Sequence, residues 1–150
     1  MKLDINKICK ENKNIEIGKL SNDVINTLDL DCESKGIYLW GARVNEHCEK
    51  HKKEYSSPLA YYEAIENIPE IIKNPDYVGI SKNNGNIQYI KKLTDYSLLV
   101  VKVINKEEGL LFRTIYPITE GKLNSNIKNG NYKKVKWKEV LRSTSFIMII

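Results

Sequence analysis

The only two histidines of the chain stand four residues apart, in His47-Cys48-Glu49-Lys50-His51. That spacing puts both imidazoles on one face if the segment is an α-helix. Histidine changes charge near neutral pH, so such a pair suits proton transfer, with one ring as base and the other as acid, or the holding of a metal ion. A zinc hydrolase of the HExxH kind would need Glu at position 48, where this chain has Cys, and no third-ligand motif accompanies the pair. Cys48 reads as a partly buried filler rather than a nucleophile.

A second polar set interrupts runs of β-branched and aromatic residues: Lys91 and Lys92 in IQYIKKL, Lys102 in LLVVKVI, and Arg113, Thr114 and Tyr116 in LLFRTIYP. Residues of this kind are commonly the solvent face of a one-sided antiparallel sheet. Together with two imidazoles they are also the parts that metal-independent phosphodiester cleavage requires. A base takes the ribose 2′-proton, an acid protonates the leaving 5′-oxygen, and cations hold the phosphoryl charge. On this reading His51 is the principal proton-transfer group, His47 is its partner, and Arg113 is the phosphoryl clamp, its planar fork matching two oxygens. Lys92 and Thr114 add donors. Asp76 and Tyr77 shape the pocket or hold a base, and Lys91, Tyr116, Lys133 and Lys134 complete the substrate-binding set. No cofactor and no metal enter this scheme.

These residues need elements to position them. Residues 1–14 are polar and read as an N-terminal arm or short frayed helix, ahead of one domain over residues 15–150. The alternation in IEIGKL leads to Ser21, a suitable N-cap for a helix burying Val24, Ile25 and Leu28. GIYLW at 36–40 reads as a short strand, and the charged, Gly- and Pro-free stretch 42–55 as a thinly apolar helix carrying both histidines. Ser57-Pro58 opens a further helix, Pro69 interrupts it, and Asn74-Pro75 ends it. From there the pattern turns to β. DYVGI, NIQYIKKL, SLLVVKVI and LLFRTIYPI, separated by short turns, predict a four-stranded antiparallel meander within residues 76–118. Residues 120–134 predict a short helix or loop ending at Asn129-Gly130, and the closing stretch VKWKEVLRSTSFIMII a helix and then a strand. Helices first and strands after are the pattern of an α+β fold, with N-terminal helices packed on a four-stranded antiparallel sheet.

Composition narrows the class. At 150 residues the chain needs neither disulfides nor a structural metal to bury a core. Its three cysteines form no CxxC pair, so reduced thiols are expected. No apolar run approaches the length of a membrane span, and the first residues have no signal-peptide pattern, so a cytoplasmic protein is expected. The net charge is +5, and its distribution is uneven: residues 121–150 carry +6 and residues 1–120 carry −1. Such a tail fits a polyanion partner, or equally a solvated lysine-rich face in a protein rich in Lys, Ile and Asn.

The stretch N-I-P-E-I-I-K-N-P-D-Y-V-G, residues 67–79, resembles the phage nuclease families grouped under the barnase, EndoU, colicin and RelE-like fold (the PBECR group). Other pieces agree in order. Upstream are I-G-K-L-S at 17–21, G-I-Y-L-W and E-H-C-E-K-H; downstream are I-K-K-L, L-L-V-V-K-V and R-T-I-Y-P-I-T-E-G-K-L. The resemblance covers roughly residues 15–135. It implies helices ahead of a four-stranded antiparallel sheet and a ribonuclease of the toxin or phage-effector kind. RNA, tRNA included, would be its substrate, and an immunity or antitoxin protein a further partner. The competing readings are a catalytically silent RNA- or protein-binding module on the same fold, and a metal-dependent hydrolase built on the histidine pair.

Overall fold

The computed structural model describes residues 2–10, 13–105 and 109–137. A short helix, α1 (Ile5–Lys10), begins it and is held to the core by Leu3 and Ile8, both buried. Strand β1 (Asn14–Lys19) pairs antiparallel with β2 (Gly36–Trp40), and the alternation along them turns Ile17, Ile37 and Leu39 inward. Between them α2 (Asn22–Leu28) is capped by Ser21, whose Oγ accepts from the Val24 N–H at 3.2 Å; such a cap contributes about 1 kcal/mol.

The segment expected to be one regular helix over 42–55 is not one. It is a single α-turn, α3 (Gly41–Arg43), then a π-turn over Val44–Cys48, then 3-10 turns over Glu49–Glu54. Only Val44 and Cys48 are buried in the last two stretches. Without an apolar stripe to seat a straight helix, the backbone changes pitch to follow the strand it lies against. Helices α4 (Pro58–Glu66) and α5 (Ile68–Lys73) follow as the prolines predict. Ser57 caps the first, and Ala60, Tyr61, Ala64, Ile65, Ile68, Ile71 and Ile72 form most of the helical side of the core.

The predicted meander is present as β3 (Tyr77–Ile80), β4 (Ile87–Lys92), β5 (Tyr96–Asn105) and β6 (Gly109–Pro117), all antiparallel. Among the described residues the sheet, however, has seven strands and not four, in the order β1-β2-β6-β5-β4-β3-β7, where β7 is Tyr132–Lys133. β2 returns from the N-terminal half to pair parallel with β6, bringing β1 with it, and β7 closes the other edge against β3. The fold is α+β, with this one parallel pair supplied by the long helical connection between β2 and the meander.

The two faces of the sheet differ. Tyr89, Leu99, Val101, Phe112 and Ile115 pack under α1, α2, α4 and α5 in the main core. Ile90, Leu98 and Val100 face the other way, against Leu123 of α6 (Glu120–Lys128) and Tyr132. Truncating a fully buried residue of the main core such as Leu39 to Ala costs about 2–5 kcal/mol. Cys9, Cys32 and Cys48 are free thiols. Among the described residues no helix is long and apolar enough to cross a membrane. The expected helix and strand of the last stretch fall on residues 138–150, outside the described ones.

Candidate functional site

β2 accompanies β6 only as far as Tyr38, which pairs with Leu111. Beyond that point the irregular run 41–54 takes over the same edge of β6. Three of its side chains touch successive positions of the strand: Arg43 at Arg113, Cys48 at Thr114 and Ile115, and His51 at Tyr116. Covering an open strand edge in this way blocks pairing with a foreign strand. It also lines both histidines along the cationic strand.

At the upstream end β6 carries a bulge. Val100 pairs with Thr114 and Val101 with Phe112, so Arg113 is the extra residue. Bulges re-aim a side chain and break the ladder locally. Here the Arg113 carbonyl accepts from Arg43 Nε at 2.7 Å, and the Arg113 side chain is exposed. Arg43 and Arg113 line a cleft of about 350 Å³ with Trp40, Glu46 and Lys102. Desolvation first, and then Arg113, lower the Arg43 pKa. His47 belongs to this end: desolvation, followed by the Arg43 and Lys50 charges, holds its imidazole below the ordinary value.

In the middle, burial pushes the Cys48 thiol up to about 11, although the Ile115 backbone and Thr114 offset part of that rise. A thiol held neutral is a poor nucleophile, in agreement with the filler role. Thr114 Oγ1 is buried beside Cys48, so it does not reach the clefts on either side.

At the downstream end the ring of His51 lies 5.4 Å from that of Tyr116, tilted by 39°. Its Nδ1 is hydrogen-bonded to Glu54 Oε2. Glu54 and Tyr116 line a cleft of about 720 Å³ together with Ser56, Asp95, Tyr96 and Lys122. Burial, and then Glu54, raise the Tyr116 pKa, so the phenol keeps its proton. Asp95 fixes this rim by accepting from the Ser56 N–H at 2.7 Å and the Ser56 hydroxyl at 2.9 Å.

A third cleft, of about 600 Å³, holds Asp76, Tyr77, Lys91, Lys92 and Lys134. Asp76 Oδ2 accepts from the Lys92 N–H at 2.7 Å, and Lys91 Nζ donates to the Asn74 carbonyl at 2.7 Å. Lys92 Nζ lies 5.7 Å from the Tyr96 ring centre, and Tyr96 lines this cleft as well as that of Glu54 and Tyr116. Lys133 is exposed on β7, beside Val78.

The structure thus brings His51 to Tyr116, His47 to Arg113, and Asp76 and Tyr77 to Lys91, Lys92 and Lys134. The histidines keep different company, because the π- and 3-10 turns replace the helix that would have aligned them. Sequence reasoning missed Glu54, Arg43, Tyr96 and Lys122. Glu54 stands three residues after His51, the spacing at which side chains eclipse in a 3-10 helix, and Arg43 is one of only three arginines. Among the described residues no three His, Cys, Asp or Glu side chains gather as metal ligands.

A family model described as phage-Barnase-EndoU-ColicinE5/D-RelE like nuclease3 matches residues 15–125. The match runs from β1 into α6, so it includes the run 41–54, the whole meander, Arg113 and Tyr116. Among curated proteins and among solved structures the chain has no significant match.

Proposed function

The chain belongs to the phage barnase, EndoU, colicin E5/D and RelE-like nuclease family, and from that premise we propose that it is a metal-independent endoribonuclease of the phage or toxin kind. A nuclease domain acts on nucleic acid. The finer reading, that the substrate is RNA and that its own 2′-hydroxyl is the nucleophile, rests on His51 and the cleft of about 720 Å³ that its partners Glu54 and Tyr116 line. The observation that carries it is the arrangement of His51, with Nδ1 bonded to Glu54 and its ring on Tyr116.

A carboxylate on Nδ1 fixes the tautomer in which Nε2 carries the lone pair. His51 Nε2 then takes the 2′-proton as that oxygen attacks phosphorus. The P–O5′ bond breaks, and the 5′-oxygen takes a proton from the Tyr116 phenol, which burial keeps protonated at neutral pH. The products are a 2′,3′-cyclic phosphate and a 5′-hydroxyl. Glu54 is a positioning residue, acting through His51. Arg113, three residues up the strand and so ~10 Å away, holds an adjoining phosphate, with Arg43 beside it and the imidazole of His47 nearby. Lys91, Lys92 and Lys134 carry the strand across the other side of Tyr96, with tRNA among the substrates this surface would take and an immunity or antitoxin protein as the partner that would block it.

The test is incubation of the purified chain with bulk RNA and tRNA in EDTA, reading the ends of the fragments. Cyclic-phosphate ends that disappear in His51→Ala are the expected result. Cleavage that requires an added divalent ion would replace this reading with the histidine-metal one, and RNA binding without cleavage would replace it with a binding module.

A further inference from the structure

We propose that the β1–β2 end of the sheet is a stacking platform for an unpaired RNA strand, with Tyr38 and Trp40 holding bases and Arg43, Arg113 and Lys102 holding phosphates. The choice of RNA, and the phosphate role of Arg43 and Arg113, rest on the nuclease reading above; the platform itself rests on Tyr38, Trp40 and Lys102, which that reading does not use.

Strand β2 alternates sharply. Ile37 and Leu39 are wholly buried, while Tyr38 and Trp40 are 40% and 44% exposed, the two aromatic side chains most open to solvent among the described residues. A buried role would have turned these rings inward, and a purely solvent-facing strand has no need of them. Both lie on the sheet face that α6 covers at its other end. The register runs Tyr38, Leu111, Lys102 from β2 through β6 to β5, and Lys102 shares its side of β5 with Leu98 and Val100, which α6 packs against. At the β1–β2 end of that face the aromatic rings are left in the open.

Tyr38 is held down by an absence. A Cβ on Gly36 would come within 2.8 Å of Glu16 Oε1 and 3.1 Å of the Tyr38 ring. Glycine at 36 therefore lets the ring lie along the strand instead of standing off it. Tyr38 and Trp40 are two residues apart, ~7 Å along the strand, so two rings can take two bases of a splayed-out strand. Base–aromatic stacking tolerates any base, because every base has a π face.

The cations supply the complement. Trp40 shares its cleft with Arg43, Lys102 and Arg113, against one carboxylate, Glu46. Arg43 uses its Nε on the Arg113 carbonyl, and among the described residues no hydrogen bond takes its terminal nitrogens, which leaves them for an anion. Two guanidinium groups side by side repel one another, and a phosphate between them relieves that repulsion. An apolar protein partner would gain nothing from these charges, whereas duplex RNA keeps its bases stacked inside and offers the rings no face.

The experiment is fluorescence anisotropy with a labelled twelve-nucleotide 2′-O-methyl oligouridylate, which 2′-hydroxyl attack cannot cleave, against a 2′-O-methyl duplex of the same length. The single strand should bind at least tenfold more tightly than the duplex. Trp40→Ala and Tyr38→Ala should each weaken it by between about fivefold and a hundredfold, and Trp40→Phe should restore most of the loss. Far-UV dichroism confirms that each variant is folded, as half-exposed positions allow. Unchanged binding in both alanine variants, equal binding of the duplex, or no binding of the single strand overturns the platform. Because the probe cannot be cut, a chain that binds it through Trp40 yet never cleaves unmodified RNA keeps the platform and loses the nuclease reading. One that cleaves but ignores both substitutions does the reverse.

Discussion

Arg43 donates its Nε–H to the main-chain carbonyl of Arg113 at 2.7 Å, and this bond ties the irregular run 41–54 to the one bulged residue of β6. The bulge leaves that carbonyl without a ladder partner, and the arginine supplies one. Both arginine side chains line the same cleft at the edge of the sheet, an arrangement that favours an anion there.

Arg43→Ala should therefore act twice. Loss of the hydrogen bond should lower stability by about 1 kcal/mol, seen as a lower urea midpoint with an unchanged slope. RNA affinity should fall by more than that loss can explain at temperatures where the variant is fully folded. A variant that unfolds earlier but binds RNA as the parent does would leave Arg43 as a structural strap only.

His51→Ala should reduce turnover by about a hundredfold or more, as expected when a general base is removed, with little change in melting temperature because the ring is only half-buried on the surface run. Arg113→Ala should also remove most turnover. Glu54→Gln should lower kcat less than His51→Ala does and leave KM near that of the parent, since it alters the partner of the imidazole and not the imidazole. If either His51→Ala or Arg113→Ala mainly unfolds the chain, its role is structural.

The periodic parts of this fold were readable in the sequence, and the non-periodic ones were not. Ser21 and Ser57 announce their helices, Asn74-Pro75 ends the second group, and four alternating runs after it give the meander in the right order. The seven-stranded sheet was hidden, because the pairing of β2 with β6 joins residues some 70 positions apart and leaves no local mark. The run 41–54 misled for a physical reason. Its lack of Gly and Pro after position 41 favours helix, but no apolar stripe sets the pitch, so contact with β6 does. The separate neighbourhoods of His47 and His51, and the place of Glu54 beside His51, follow from that pitch. They could not be read from an i, i+4 count.

Cys48 offers a check on the packing of this seam. Its thiol, pushed up to about 11 by burial, should resist iodoacetamide at pH 8 in the folded chain and react fully in urea, as followed by peptide mass spectrometry. Cys32, half-buried, should react in the folded state. Early labelling of Cys48 would mean that the run 41–54 lifts from β6.

His47 makes stability depend on pH in a known direction. An imidazole held below its ordinary value when folded binds fewer protons than in the unfolded chain. Its contribution is therefore complete above the unfolded value near 6.5 and is lost as pH falls through the lower folded value. Denaturation midpoints of the parent should decline across that window more steeply than those of His47→Gln. An equal slope in the two would place the titration elsewhere.

The basic carboxy-terminal segment makes the last prediction. Lys133, Lys134 and Lys136 are exposed, and only Lys134 enters the cleft with Lys91 and Lys92. The main chain does the structural work here: β7 pairs with β3, and the Lys136 N–H donates to Thr27 Oγ1 at 3.1 Å. Reversing all three charges with Glu should therefore leave the melting temperature close to that of the parent. If the three side chains neutralise phosphates, each releases counterions, and the slope of log affinity against log salt should flatten by about 2 for a single strand. Affinity should fall most at low salt, and the parent and variant curves should converge as salt rises. A parallel pair of curves with no loss at low salt would assign these lysines to a solvated face, and would leave Arg43, Arg113 and Lys102 as the cations that hold the strand.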